Sequence, residues 1–396
     1  MTTSRNPRPR RRFVRASVFL LSVAVGVTLA MGVHRSREKA ELRAEAERRV
    51  KAFAAEGFRW WRPGDARPSM DLCAELRGIA AAMREERWYR PELVGAADWS
   101  DVERAGLEAY RIRIETRLEA AGPPRPSRLL DHHLPSLLDQ RECAELLLAF
   151  ARRDAARGAH EAAAAGFGRA LDVAGHAECS SSALLGGLVG VAVETRVLED
   201  LTATLRGIGV ETTAYRRRLD DALGRGRDPE EARRLLLGEA ANICCLILAG
   251  LDRESPDGER WPDAWPDEGL PAARSFLAQA DVYAAEARGE GAAAGTEDAR
   301  PVQAFRAALE RRGRTRDLVR ALLGAAEERA DTGEWPRDGG FLADGSPALA
   351  RRVGVREDAD GLALVHLDVA GEAELVARRE AIDRRIALEA APPRDH

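Results

Sequence analysis

The stretch Ala144–Ala177, AELLLAFARRDAARGAHEAAAAGFGRALDVAGHA, decides how the rest of the chain is read. Leu147, Phe150 and Ala151 recur at helical spacing in its first half, and Ala163, Phe167, Ala170 and Leu171 do so in its second. Gly158 stands between the halves, where a chain leaving a helix needs a residue that tolerates a left-handed backbone. The reading is a helix, a tight turn and a second helix, packed through Ala163 and Ala170 with Phe167 filling the space between. Arg153 is expected to point to solvent.

Working outward, other segments repeat the pattern. A helix is expected from about Ser69 to Trp88. Ser100-Asp101-Val102-Glu103 reads as a capping box opening a helix that runs to about Ala121 and stops at Gly122-Pro123-Pro124. Asp228-Pro229-Glu230-Glu231 reads as an N-cap followed by proline at the first helical position, opening a helix to Ala249. Pro271 and Pro301 open further helices in the same way. Ala183–Val193 and Ala240–Gly250 are apolar but too short to span a bilayer, so both are expected to be buried within the domain. Gly186, Gly187 and Gly190 would admit a neighbouring helix closely. After Gly333-Glu334-Trp335-Pro336 the pattern changes. Val353 and Val355, then Leu362, Leu364, Val365 and Leu367, flank Glu357-Asp358-Ala359-Asp360-Gly361 and read as a hairpin that must pack on the helices. Gly371 begins a last amphipathic helix bearing Leu375, Ile382 and Ile386.

Composition agrees with a mainly α fold. Across 396 residues aromatics make up 5%, and alanine is abundant, which favours helices packed through small side chains over a sandwich. The net charge of -4 gives no reason to expect a nucleic-acid partner. The bases are almost all arginine, with Lys39 and Lys51 the lysines, as a GC-rich genome produces. Cys73, Cys143, Cys179, Cys244 and Cys245 are too few and too scattered for a disulfide framework and read as buried thiols, with one bridge among the first three left open if the domain is exported.

Arg5, Arg8, Arg10, Arg11, Arg12 and Arg15 precede an uncharged stretch from Ala16 to Val33, about the length a helix needs to cross the hydrocarbon core. Three readings compete: a retained anchor, a cleaved signal with Ala30-Met31-Gly32 at its small-x-small site, and a twin-arginine signal. Arg10-Arg11-Arg12-Phe13-Val14-Arg15 resembles the last, with Pro9 where Ser or Thr is usual. The retained anchor is preferred because charged helical sequence continues behind it. The division expected is a basic tail 1–15, a transmembrane helix 16–33, a helical stalk 34–59, a helical domain 69–332 and a hairpin plus helix in 333–396. The denser basic flank places the N-terminus in the cytoplasm and the main domain outside a bacterial cell membrane; the alternative is export after signal cleavage.

The helix pair at 144–177 also resembles a tetratricopeptide repeat, with Gly158 in the turn, Ala163, Phe167 and Ala170 on the second helix, and departures at Asp154 and Gly175. No second good copy is present. The chain as a whole looks like uncharacterised bacterial proteins that pair an N-terminal anchor with degenerate helical repeats. That resemblance implies no particular activity.

No catalytic, cofactor or metal constellation stands out. Asp131-His132-His133 is the densest polar cluster, but neighbouring side chains on a helix diverge by about 100° and do not readily share one ion. His176 and Cys179 have the spacing of a zinc pair without a second pair. Glu194 and Glu239 border apolar helices; buried carboxylates of this kind do acid–base work or bind metal, or else form ion pairs with Arg196, Arg233 or Arg234. Trp261 and Trp265, in a repeated Trp-Pro-Asp loop, either contact a partner or cover the core. Asp358 and Asp360 lack the rest of a calcium loop. The function expected is a membrane-anchored helical scaffold that binds a protein partner. The alternatives are an envelope enzyme with an unfamiliar site and a sensor or carrier for a small apolar ligand.

Overall fold

The computed structural model describes residues 33–60, 65–88, 99–130, 136–180, 184–207, 213–224, 229–252, 269–290, 300–337, 340–341, 347–358, 361–366 and 385–387. The stretch Ala16–Gly32, His132, His133, Trp261, Trp265 and Asp360 lie outside them. Among the described residues no helix is long and apolar enough to cross a membrane.

The fold is mainly helical. In chain order the elements are α1 (33–55), β1 (Arg59–Trp60), α2 (Pro68–Glu85), α3 (Asp101–Ala121), β2 (Leu129–Leu130), α4 (Leu137–Ala156), α5 (His160–Cys179), α6 (Leu184–Gly207), α7 (Thr213–Gly224), α8 (Pro229–Asp252), α9 (Gly269–Ala287), α10 (Arg300–Thr332), α11 (Pro347–Ala350), β3 (Val353–Asp358), β4 (Gly361–His366) and β5 (Arg385–Ala387). They fall into two compact units, the smaller made of residues up to Gly57 with Ile243–Asp281, the larger of Phe58–Asn242 with Val282–His396.

In the smaller unit α1 is not a bare stalk. Leu42, Ala46 and Phe53 form a buried stripe along it, the face an amphipathic helix turns to a core. Arg49 donates to both carboxylate oxygens of Asp281 at 2.8 and 2.6 Å, and Arg274 reaches Glu38 at 3.2 Å. Charge in this helix therefore serves packing as well as solvation.

In the larger unit the expected punctuation is present. Ser100 and Glu103 form a reciprocal capping box at the start of α3, and Gly122 ends that helix with φ of 70°. The turn between α4 and α5 closes as a Schellman motif, the Ala159 N–H donating to the Asp154 carbonyl and the Gly158 N–H to that of Ala155, with Gly158 at φ of 75°. Ala163, Phe167 and Ala170 are fully buried. The two helices approach closely at Gly166, where an added Cβ would lie 3.0 Å from that of Ala151. Arg153 departs from expectation: its guanidinium stacks on Trp99 at 3.1 Å from the ring centroid, half-buried.

Along α6, Leu184, Val189, Val191 and Val193 are buried while Leu185 is 52% exposed, so this apolar run keeps one wet edge. Ala240, Ala241, Cys244 and Ile247 of α8 are buried. The C-terminal hairpin pairs β3 with β4 antiparallel from Val353↔His366 to Asp358↔Gly361 and packs on α10. The last amphipathic helix is corrected at its end: Ile386 lies in β5, paired with Leu364 as the third strand of the sheet. Apolar residues spaced four apart also suit a short strand when a neighbouring edge offers hydrogen bonds.

Candidate functional site

Four helices of the larger unit bring a set of charged side chains together. Glu178 comes from the last turn of α5, Glu194 from the middle of α6, Glu231 and Arg234 from the first turns of α8, and Arg312 and Arg316 from successive turns of α10. Gly190 makes the arrangement possible. A Cβ there would stand 2.5 Å from Glu178 Cβ and 2.9 Å from the Ala174 carbonyl, so α6 lies directly on the last turns of α5.

Arg312 is the hub. Its guanidinium reaches Glu178 at 2.6 Å, Glu231 at 3.4 Å and Glu194 at 3.7 Å. Arg316 grips Glu194 with two donors, Nε to Oε1 and Nη2 to Oε2, the latter at 2.6 Å. The side chains of Glu178, Glu194 and Arg312 are each 5% exposed or less. Burial works against the Arg312 charge, but Glu178 and Glu194 outweigh it and raise its pKa further. Burial pushes the Glu178 carboxyl above the usual carboxylate range; Arg312 opposes the shift and neighbouring Glu231 adds to it. Arg234, buried on α8, donates to the Ser127 carbonyl at 2.8 Å, and burial lowers its pKa.

Beside this cluster is a cavity of about 360 Å³. Leu171, Ala222, Pro124 and Pro126 give it apolar walls, and Glu178, Glu194, Glu231, Arg234 and Arg316 line it with charge.

The residues singled out from the sequence fall in different places. Glu194 joins the cluster, but its partners are Arg316 and Arg312, and the arginines near it in sequence are engaged elsewhere. Arg196 pairs with Glu199 and Asp200, and Arg233 with Glu230. Glu239 stands apart: its carboxylate accepts from the Leu184 N–H at 2.8 Å and so caps the start of α6, with burial raising its pKa. His176 has both ring nitrogens occupied, Nδ1 3.0 Å from Ser69 Oγ and Nε2 3.0 Å from the Gly122 carbonyl, so it is a structural bridge and no zinc ligand. All five cysteines are buried and free, and burial pushes the thiols of Cys73, Cys179, Cys244 and Cys245 up to about 12, which makes them poor nucleophiles. Among the described residues no group of three or more His, Cys, Asp or Glu side chains is placed to hold a metal ion.

Glu178, Glu231, Arg312 and Arg316 escape a reading by sequence neighbourhood. Periodicity does carry a trace of Glu178, which continues the buried stripe Phe167, Ala170, Leu171, Ala174 at the next helical position. No family model, no curated protein and no solved structure matches this chain.

Proposed function

We propose that the chain is a membrane-tied helical scaffold whose larger unit holds a protein partner, with Ala16–Val33 as the retained anchor. The observation that supports it most directly is the order of packing: α2 lies on α3 and α4, α4 on α5, and α5 on α6 and α7. From α2 to α6 the helices stack on near neighbours in the chain, as in helical-repeat domains that present extended surfaces to other proteins, while α10 closes back on α6 and α7. The tetratricopeptide-like reading of α4 and α5 belongs here, supported by the Schellman turn and the Gly166–Ala151 approach. Ile112 on α3 and Leu138 on α4 are more than half exposed and are the residues assigned to partner contact.

The test is affinity purification of the full chain from detergent-solubilised membranes, beside an Ile112→Asp/Leu138→Asp variant. A stoichiometric partner retained by the native chain and lost from a variant with an unchanged melting temperature is the expected result. Recovery of the native chain in the non-membrane fraction, or equal partner recovery by the variant, would refute the reading. Mass spectrometry of the membrane-derived protein should also find the region before Val33 intact.

A further inference from the structure

The outer face of α3 carries an inference that deepens the scaffold reading, on which its use of Ile112 as a contact residue rests. Val102, Ala105, Ala109, Ile112 and Thr116 follow one another along this helix at alternate spacings of three and four. At about 100° per residue they fall in one stripe, opposite Leu107, Tyr110, Ile114 and Leu118, which face the core. All five are exposed, Val102 at 74% and Ile112 at 52%. Thr116 returns its hydroxyl to the Ile112 carbonyl at 2.8 Å, so it can sit in an apolar line. Single apolar side chains on a surface need no explanation, but a line of them at the 3.5-residue repeat is the seam of a coiled coil. Ala105 and Ala109 leave room for the backbone of a second helix to come close.

The charges beside the stripe decide which helix fits it. With Val102, Ala109 and Thr116 at the a positions and Ala105 and Ile112 at d, the g positions are Asp101, Glu108 and Glu115, and Arg113 is the central e position between Gly106 and Ala120. We propose that α3 packs, parallel and in register, on α3 of a second copy of this chain. In that orientation the g flank of one helix lies beside the e flank of the other, so Glu108 of each copy meets Arg113 of the other. An antiparallel pair would set the acids of one g flank against the same acids of the other copy. Arg113 is exposed, with its guanidinium 5.1 Å from the centre of the Tyr110 ring, and among the described residues it forms no ion pair. Glu108 holds Arg111 on its own helix, and Asp101 holds Arg104. Such surface pairs contribute little and are exchanged at small cost. Each copy presents α3 already folded and capped, so a seam of about two heptads does not have to supply the ordering that an isolated peptide of this length could not.

The experiment is sedimentation equilibrium of the full chain in density-matched detergent, at concentrations up to about 0.1 mM. A reversible monomer–dimer equilibrium is expected. Ala109→Arg exchanges one good helix former for another at an exposed position, so it should weaken the dimer by about tenfold or more and leave the melting temperature unchanged. Arg113→Glu should weaken the dimer as well, and adding Glu108→Arg to it should restore part of the loss, because the swapped pair still attracts across the seam. Orientation is read by cross-linking. Ala105→Cys should form a disulfide with itself under mild oxidation, since a parallel seam sets each d position beside its own copy and an antiparallel one holds them apart; the five native thiols are buried. A monomer throughout, a dimer that Ala109→Arg or Arg113→Glu leaves undiminished, or no cross-link from Ala105→Cys would overturn the proposal. The scaffold reading fails on a different observation, recovery of the chain outside the membrane fraction.

Discussion

Arg312→Met is the perturbation that examines the charged cluster most severely. Methionine replaces the aliphatic stem at similar length and removes a guanidinium in contact with three carboxylates. Glu194 keeps Arg316, but Glu178 loses the one side-chain donor that reaches it at 2.6 Å. Breaking a buried pair by removing one partner costs about 3–5 kcal/mol, because the other charge is left without compensation. Glu178 is 5% exposed, so solvent screening does little to reduce that figure. For a domain of this size such a loss lowers the melting temperature on the order of 10 °C.

The pH dependence supplies a second, sharper criterion. Burial already holds the Glu178 pKa above its ordinary 4.5, and losing Arg312 raises it again. A carboxyl with a raised folded-state pKa binds more protons folded than unfolded, so its stabilising contribution is present below about 4.5 and is lost as pH rises through the folded value. The variant's deficit should therefore be small in acid and full at neutrality. Adding Glu178→Gln to Arg312→Met should recover part of the loss at neutral pH, a coupling of about 1–3 kcal/mol for groups in contact. Urea and thermal denaturation followed by circular dichroism between pH 4.5 and 7.5 measure all of this. A cost under about 1 kcal/mol at neutral pH, or one that does not shrink in acid, would show that the cluster is solvated and the reasoning wrong.

Phe167→Ala should cost about 3–5 kcal/mol, since Phe167 is fully buried and touches Tyr215 with ring centroids 6.3 Å apart; Ala163→Leu should cost about 1–3 kcal/mol by overpacking. Near-neutral results for both in chemical denaturation would mean that the α4–α5 seam is not tightly packed. Glu239→Gln keeps an acceptor for the Leu184 N–H while removing a buried charge, so its melting temperature relative to native should climb as pH rises from about 4.5 toward neutrality. A difference that stays flat with pH would show that Glu239 is ionised without penalty.

Helix ends were the most legible part of the fold because their signals are local. The capping box at Ser100, the glycines at 122 and 158, and the prolines at 68, 229 and 301 each satisfy or omit a backbone group within a turn or so of themselves, and α2, α3, α5, α8 and α10 begin or end beside them. The hairpin was legible for the same reason, its two arms being joined by a short turn. Partner choice was not. Glu194 stands beside an apolar run in the sequence and is buried in the fold, but its partner Arg316 lies 122 residues away in an arginine-rich helix. Nothing local marks Arg312 and Arg316, four apart, as buried among the other arginines of that helix. Arg153 fails in the opposite direction: its sequence neighbours are charged, yet Trp99 from beyond the previous helix covers it.

Gly190 and Glu178 together explain why a packing signal and a chemical one coincide. The glycines of α6 read as a feature that lets helices approach, and at Gly190 they do so. The same approach forces water away from whatever side chain stands opposite, because helices close enough for a missing Cβ to matter leave no room for a hydration shell. The residue opposite is a glutamate, with its Cβ 2.5 Å from the position a side chain at 190 would occupy. A carboxylate placed there must acquire a partner of opposite charge or keep a proton, since the bare ion cannot be held in a dry seam. Arg312 fills that requirement at one oxygen and leaves the other facing the Glu231 side of the cluster. The small-residue seam therefore contributes to the burial that, with Glu231, raises the Glu178 carboxyl, and widening it should lower that carboxyl's pKa. Gly190→Ala, which drives α6 away from Glu178 and admits water, should lower the Glu178 pKa toward its ordinary value even as it destabilises the fold.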